Sequence, residues 1–113
     1  MEMTSIERIV LDGRAQVASV SGRLHDAWVD LERTLWRHES GEVQIPIATT
    51  LWRKAAGRPN VMLVICGVTS FEVVDTEHVR WYNLIGVSVR DDAIEMAFGI
   101  PLVMRMGVDW MDG

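Results

Sequence analysis

Apolar and polar residues alternate through most of the second half of the chain. Between residues 61 and 108, apolar-rich segments of strand length are separated by short polar or glycine-bearing breaks. The run from Val61 to Cys66 is apolar at consecutive positions, as a strand buried on both faces must be, and it follows a break at 55–60 that holds Gly57, Pro59 and Asn60. Phe71 and Val73 continue as strand, residues 75–78 turn the chain, and Ile85, Val87 and Val89 alternate inward before a hairpin at Asp91 and Asp92. Ile94, Met96 and Phe98 form the return strand, residues 99–101 bend the chain, and Leu102, Met104 and Met106 supply a last alternating face. The tail from Asp109 is expected to be loose.

The first half is less regular. Thr4 followed by Glu7 has the spacing of a capping box, and Ile6, Ile9, Val10 and Val17 share a helical face, which predicts a short helix from about Ser5. Gly13 weakens that helix by about 1 kcal/mol relative to Ala, and Ser21 with Gly22 supplies a break. Residues 24–38 admit two readings. Leu24, Trp28, Leu31 and Leu35 fit a helical stripe, with Asp26 near its start and Arg37 and His38 near its end complementing a helix dipole. Against this, residues 39–42 are good hairpin-turn chemistry, and Val43, Ile45 and Ile47 alternate just after them. The balance leans to strand. Pro46 lacks an N–H, which predicts that the strand over 43–50 sits at a sheet edge.

Together these elements define an α+β class, with mainly β as its close rival. The expected architecture is one β-rich domain over residues 1–113, an antiparallel sheet of about five to seven strands with a short N-terminal helix. Connections of a few residues leave no room for parallel crossovers.

Composition narrows the function classes. The 113 residues are 49% hydrophobic and 24% charged, as in a folded domain, and the net charge of −5 supplies no broad positive surface for nucleic acid. The one dense basic patch, Arg53, Lys54 and Arg58 beside Trp52, reads as a solvated loop in preference to a nucleotide site. Cys66 is the single cysteine, so no intrachain disulfide forms, and its apolar run gives it a structural role. Residues 1–10 lack the apolar core of a signal peptide and no segment approaches the ~20 apolar residues of a membrane span, so a cytoplasmic location without membrane contact is expected.

Candidate chemistry is sparse. His25 beside Asp26 has the composition of an oriented base, yet neighbouring side chains diverge, and a turn role fits better. Asp75, Glu77 and His78 hold ligand atoms without any established metal spacing, and Asp91 and Asp92 fit a solvated hairpin tip. No serine occupies a glycine-flanked elbow. No catalytic residue, metal or cofactor is assigned on these grounds.

Tryptophan is the more informative residue. Five tryptophans outnumber the single tyrosine and two phenylalanines, a weighting suited to interfaces and stacking sites as well as to cores. If 24–38 is strand, Trp28 and Trp36 share one face with Asp30, Glu32 and Thr34, a partly polar surface suited to a partner. If it is helix, Trp28 joins Leu24, Leu31 and Leu35 on the core stripe. A small-ligand module is the competing class, with Trp28 or Trp81 lining a pocket and His25 or Asn83 making polar contacts. A structural homo-oligomer is the third.

His25, Asp26 and Ala27 ahead of a strand-like stretch, Tyr82, Asn83, Leu84 and Ile85 running into a hairpin, and Pro101 with Leu102 resemble small bacterial β-rich proteins of uncharacterised function, some of them similar to immunity proteins of toxin systems. Residues 26–40 depart from the tighter turn of that pattern. The resemblance implies a cytoplasmic interaction protein that blocks a protein partner by surface complementarity and needs no catalytic residues.

Overall fold

In the computed structural model, which describes residues 6–49, 59–75, 77–99 and 101–110, the alternating segments pair into one open mixed sheet of nine strands with a single α-helix. The strands are β1 (Glu7–Leu11), β2 (Trp28–Asp30), β3 (Leu35–Arg37), β4 (Glu42–Ala48), β5 (Val61–Ile65), β6 (Val68–Asp75), β7 (Trp81–Arg90), β8 (Ala93–Phe98) and β9 (Leu102–Val108). Their order across the sheet is β1-β5-β4-β2-β7-β8-β9-β6, with β3 beside β4. The β-rich α+β class is therefore found, with more strands than the sequence suggests because β2 and β3 have only three residues each.

The central run behaves as its apolar pattern requires. Val61, Leu63 and Ile65 of β5 join Val43, Ile45 and Ile47 of β4 in the main core, while Val64 is fully buried on the opposite face. Met96, Met104 and Met106 extend the core through β8 and β9. Asp91 and Asp92 close the β7–β8 hairpin, Asp91 at φ 54°, with both side chains exposed.

The N-terminal region departs from expectation. Residues expected to open a helix form β1, because Ile9 and Leu11 alternate inward and the strand pairs in parallel with β5 from Glu7 opposite Val61 to Leu11 opposite Ile65. The crossover needed for that parallel pair is the whole stretch between the two strands, including the helix and three further strands. Thr4 and Ser5 lie outside the described residues. The helix α1 instead spans Ala15–Arg23, where Val17, Val20 and Leu24 recur at helical spacing and face the core. Ser21 and Gly22 sit within its last turn instead of ending it.

Residues 24–38 are neither a helix nor one strand. β2 is followed by a 3-10 turn over Leu31–Arg33 and then by β3. Pro46 is an interior residue of β4, flanked by β5 on one side and by β2 and β3 on the other. The Asn60 N–H donates to the Ile47 carbonyl, so backbone alternation turns Pro46 toward β2 and β3. There the pairing is already interrupted: β3 reaches Gln44 and β2 begins at Ile47, and the missing N–H falls in the gap left by the 3-10 turn.

Two further differences concern β7 and the tail. Pairing with β8 shifts register between Leu84 and Gly86, so Leu84 and Val87 face the core and Ile85, expected inward, is 42% exposed. Beyond β2 this strand is flanked by α1, whose Ser21 Oγ accepts the Val87 N–H at 3.0 Å. At the other end, Asp109 and Trp110 are held: the Asp109 N–H donates to the Gly67 carbonyl at 2.7 Å and the Trp110 indole to the Cys66 carbonyl at 2.8 Å. Gly67 adopts φ 66°, and a Cβ there would come within 3.3 Å of the Trp110 ring. Residues 50–58, with the basic patch, lie outside the described residues.

Candidate functional site

The pairing of β2 with β7 brings the two candidate surfaces together. Trp28 lies opposite Asn83 and Asp30 opposite Trp81, while Val29 lies opposite the fully buried Tyr82. Directly opposed residues share a face, so Val29 and Tyr82 point to one side of the sheet and Trp28, Asp30, Trp81 and Asn83 together to the other. Trp28, Trp81 and Asn83 are half-buried, and the Asn83 amide donates to the Ala27 carbonyl at 3.3 Å.

Asp30 is the buried charge among the described residues, at 0% exposure. Arg80 meets it with a two-pronged fork, Nε to Oδ1 and Nη2 to Oδ2, each at 3.0 Å. Arg33 approaches the same carboxylate at 3.8 Å. The Asp30 carboxylate raises the Arg80 pKa above its already high value, so the guanidinium stays charged. Its carbon also lies 5.6 Å from the centre of the Trp81 ring, within cation–π range. The Asp30 carbonyl accepts from the Thr34 hydroxyl, and the Leu31 N–H donates to the Arg80 carbonyl. These bonds tie the 3-10 turn to the start of β7.

A cleft of 290 Å³ opens beside this pair, lined by Leu31, Glu32, Asp75, His78, Val79 and Arg80. Tyr82 donates its hydroxyl to Asp75, whose carboxylate also accepts the His78 N–H at 2.9 Å. The Tyr82 hydrogen bond holds the Asp75 carboxyl below its usual value against the opposing effect of partial burial, and the His78 N–H adds to it. Burial, then the bond to Asp75, pushes the Tyr82 hydroxyl up. The linkage has opposite signs at the two ends of the pH scale. Asp75 stabilises the fold above the unfolded carboxyl value near ~3.9, and this is lost as pH falls through its lower folded value. Tyr82 stabilises it below ~10, and this is lost as pH rises through its raised folded value. Tyr82→Phe removes the second effect and the largest part of the first, leaving the His78 N–H on Asp75, so a melting-temperature profile against pH is expected to be flatter at both extremes than the wild type's; equal slopes would contradict the assignment.

Other sequence candidates fall elsewhere. The 3-10 turn changes the strand phase, so Trp36 packs inward against the core and rings with His38 and Phe71 instead of sharing the outer face of Trp28. Glu32 sits in that turn, exposed at the cleft rim. His25 occupies the turn after α1, where its Nδ1 donates to the Ile85 carbonyl at 2.7 Å and Asp26 takes φ 69°; contrary to the expected divergence, the His25 Nε2 lies 3.5 Å from the Asp26 carboxylate, with both side chains exposed. This is the turn role that its neighbours suggest. Among the described residues, no group of three or more His, Cys, Asp or Glu side chains is arranged to hold a metal ion. Cys66 follows β5, and burial, foremost, pushes its thiol pKa up. Arg80 was not singled out by the sequence, since its partner lies 50 positions earlier. The one usable signal was Asp30 itself, in a strand otherwise apolar, which demands a cation once buried.

Among the described residues no helix is long and apolar enough to cross a membrane. Comparison of the chain with protein-family models, curated proteins and solved structures finds no match.

Proposed function

We propose that this chain is a cytoplasmic, non-catalytic interaction protein that binds a protein partner through the outer face of β2 and β7, in the manner of the bacterial immunity-like proteins its short motifs resemble. The carrying observation is the shared face of Trp28 and Trp81 around the buried Asp30–Arg80 fork. Tryptophan and arginine are the residues that most often dominate binding energy, and here they stand on paired strands, so little conformational freedom is lost on binding. Trp28 and Trp81 lie diagonally across the two strands, about 7–8 Å apart along the backbone. Two indoles side by side on paired strands form an anchor of the kind that protein interfaces use. The chain's acidic charge favours a basic partner and does not favour nucleic acid.

The test is affinity capture from native lysate with tagged protein, followed by binding of the captured partner to Trp28→Ala and Trp81→Ala variants whose circular dichroism matches wild type. Each is expected to weaken binding at least tenfold, whereas Glu39→Ala, in the distant β3–β4 turn, leaves it unchanged. Undiminished binding by both folded tryptophan variants would refute the reading.

A further inference from the structure

The outer face of β6, β9 and β8 carries a second pattern, separate from the proposed partner face. Register sets Glu72 opposite Arg105 and Arg105 opposite Glu95, a row of alternating charge across three strands. All three are exposed, and among the described residues none makes an ion pair with another. In the row alongside, Val74 lies opposite Val103. They are 47% and 49% exposed, and Ala97, next along β8, is exposed too. Side-by-side valines held open to water beside an edge strand are a liability unless something covers them.

We propose that a second copy of this chain covers this face, forming a two-fold dimer whose axis runs along the strands between β8 and β9. Such an axis lays β9 of one copy on β8 of the other at equal height. Arg105 then meets Glu95 of the second copy, Glu95 meets the second Arg105, and each Val103 packs on the small Ala97 opposite. No like charges face one another, whereas an axis centred on β9 would set Arg105 against its own copy. The interface is isologous, and its charge row is self-complementary in this arrangement. Strands of six and seven residues, spaced by about 4.8 Å, give a face roughly 20 Å long and 15–20 Å wide. That is about 300–400 Å² a side, smaller than a standard specific interface, so the dimer is weak and transient and forms only toward high concentration.

Sedimentation velocity from ~5 to ~500 μM tests this. Wild type is expected to pass from monomer to dimer, while Arg105→Glu, Glu95→Arg and Val103→Asp each stay monomeric with unchanged circular dichroism. An equimolar mixture of the Arg105→Glu and Glu95→Arg proteins restores the dimer, because both cross-copy pairs are then of opposite charge. That mixture separates contacts between copies from contacts within one chain. A wild type that remains monomeric throughout, or a dimer indifferent to these substitutions, or a mixture that fails to associate, would overturn the proposal.

Discussion

Replacing Arg80 with Met is expected to lower unfolding stability by about 3 kcal/mol. The cost arises at Asp30, whose carboxylate is fully buried and would lose both bonds of the fork. Stranding a buried charge costs roughly 3–5 kcal/mol, and the lower figure applies because Arg33 remains 3.8 Å away and the Arg80 side chain is itself 36% exposed. Removing both charges is a different case. An Asp30→Leu/Arg80→Met double variant no longer desolvates a carboxylate, and it is expected to recover most of the loss. Urea titration of the three proteins measures this. An Arg80→Met variant within about 0.5 kcal/mol of wild type would mean that the pair does not anchor the 3-10 turn to β7.

Leu63→Ala carries an effect of similar size from a different cause. Leu63 is fully buried on β5, directly opposite Ile45 on β4 and Ile9 on β1, and those strands leave little freedom to close a void. Truncating a leucine in such a setting costs about 2–5 kcal/mol, the lost transfer energy plus the residual cavity. Val10→Ala, on the exposed side of β1 at 38% exposure, is expected to change stability by less than about 1 kcal/mol. Chemical denaturation of both variants checks the contrast. Equal losses would place β1 and β5 in a different register.

The sequence shows the fold best where burial is one-sided or complete. β5 announces itself because no alternation survives on a strand buried on both faces, and β8 and β9 do so because Ile94, Met96, Met104 and Met106 fall on one face at period two. The N-terminal difference has a physical source: Ile6, Ile9 and Val10 satisfy a helical stripe, while Ile9 and Leu11 alternate as a strand over the same few residues. β5 decides between them, and its residues lie 54 positions further along the chain. Similarly, the bulge that turns Ile85 outward leaves no mark in the alternation of Ile85, Val87 and Val89. Pro46 misleads because its missing N–H is absorbed by a gap in the neighbouring strand, not by a sheet edge.

The candidate site was half legible for the same reasons. The strand reading of residues 24–38 put Trp28 and Asp30 on one face, and β2 has that face; the same reading included Trp36, because a three-residue 3-10 turn that reverses the phase is invisible in the pattern. Trp81 and Asn83 were separate candidates in the sequence. Only strand pairing makes them neighbours of Trp28 and Asp30.

The most direct measurement on the central claim, that the β2–β7 face binds the partner, is calorimetric titration of the captured protein against wild type, Trp81→Ala and Glu39→Ala. Trp81→Ala is expected to lose at least tenfold in affinity and Glu39→Ala to lose none. A folded Trp81→Ala variant that binds as tightly as wild type would contradict it.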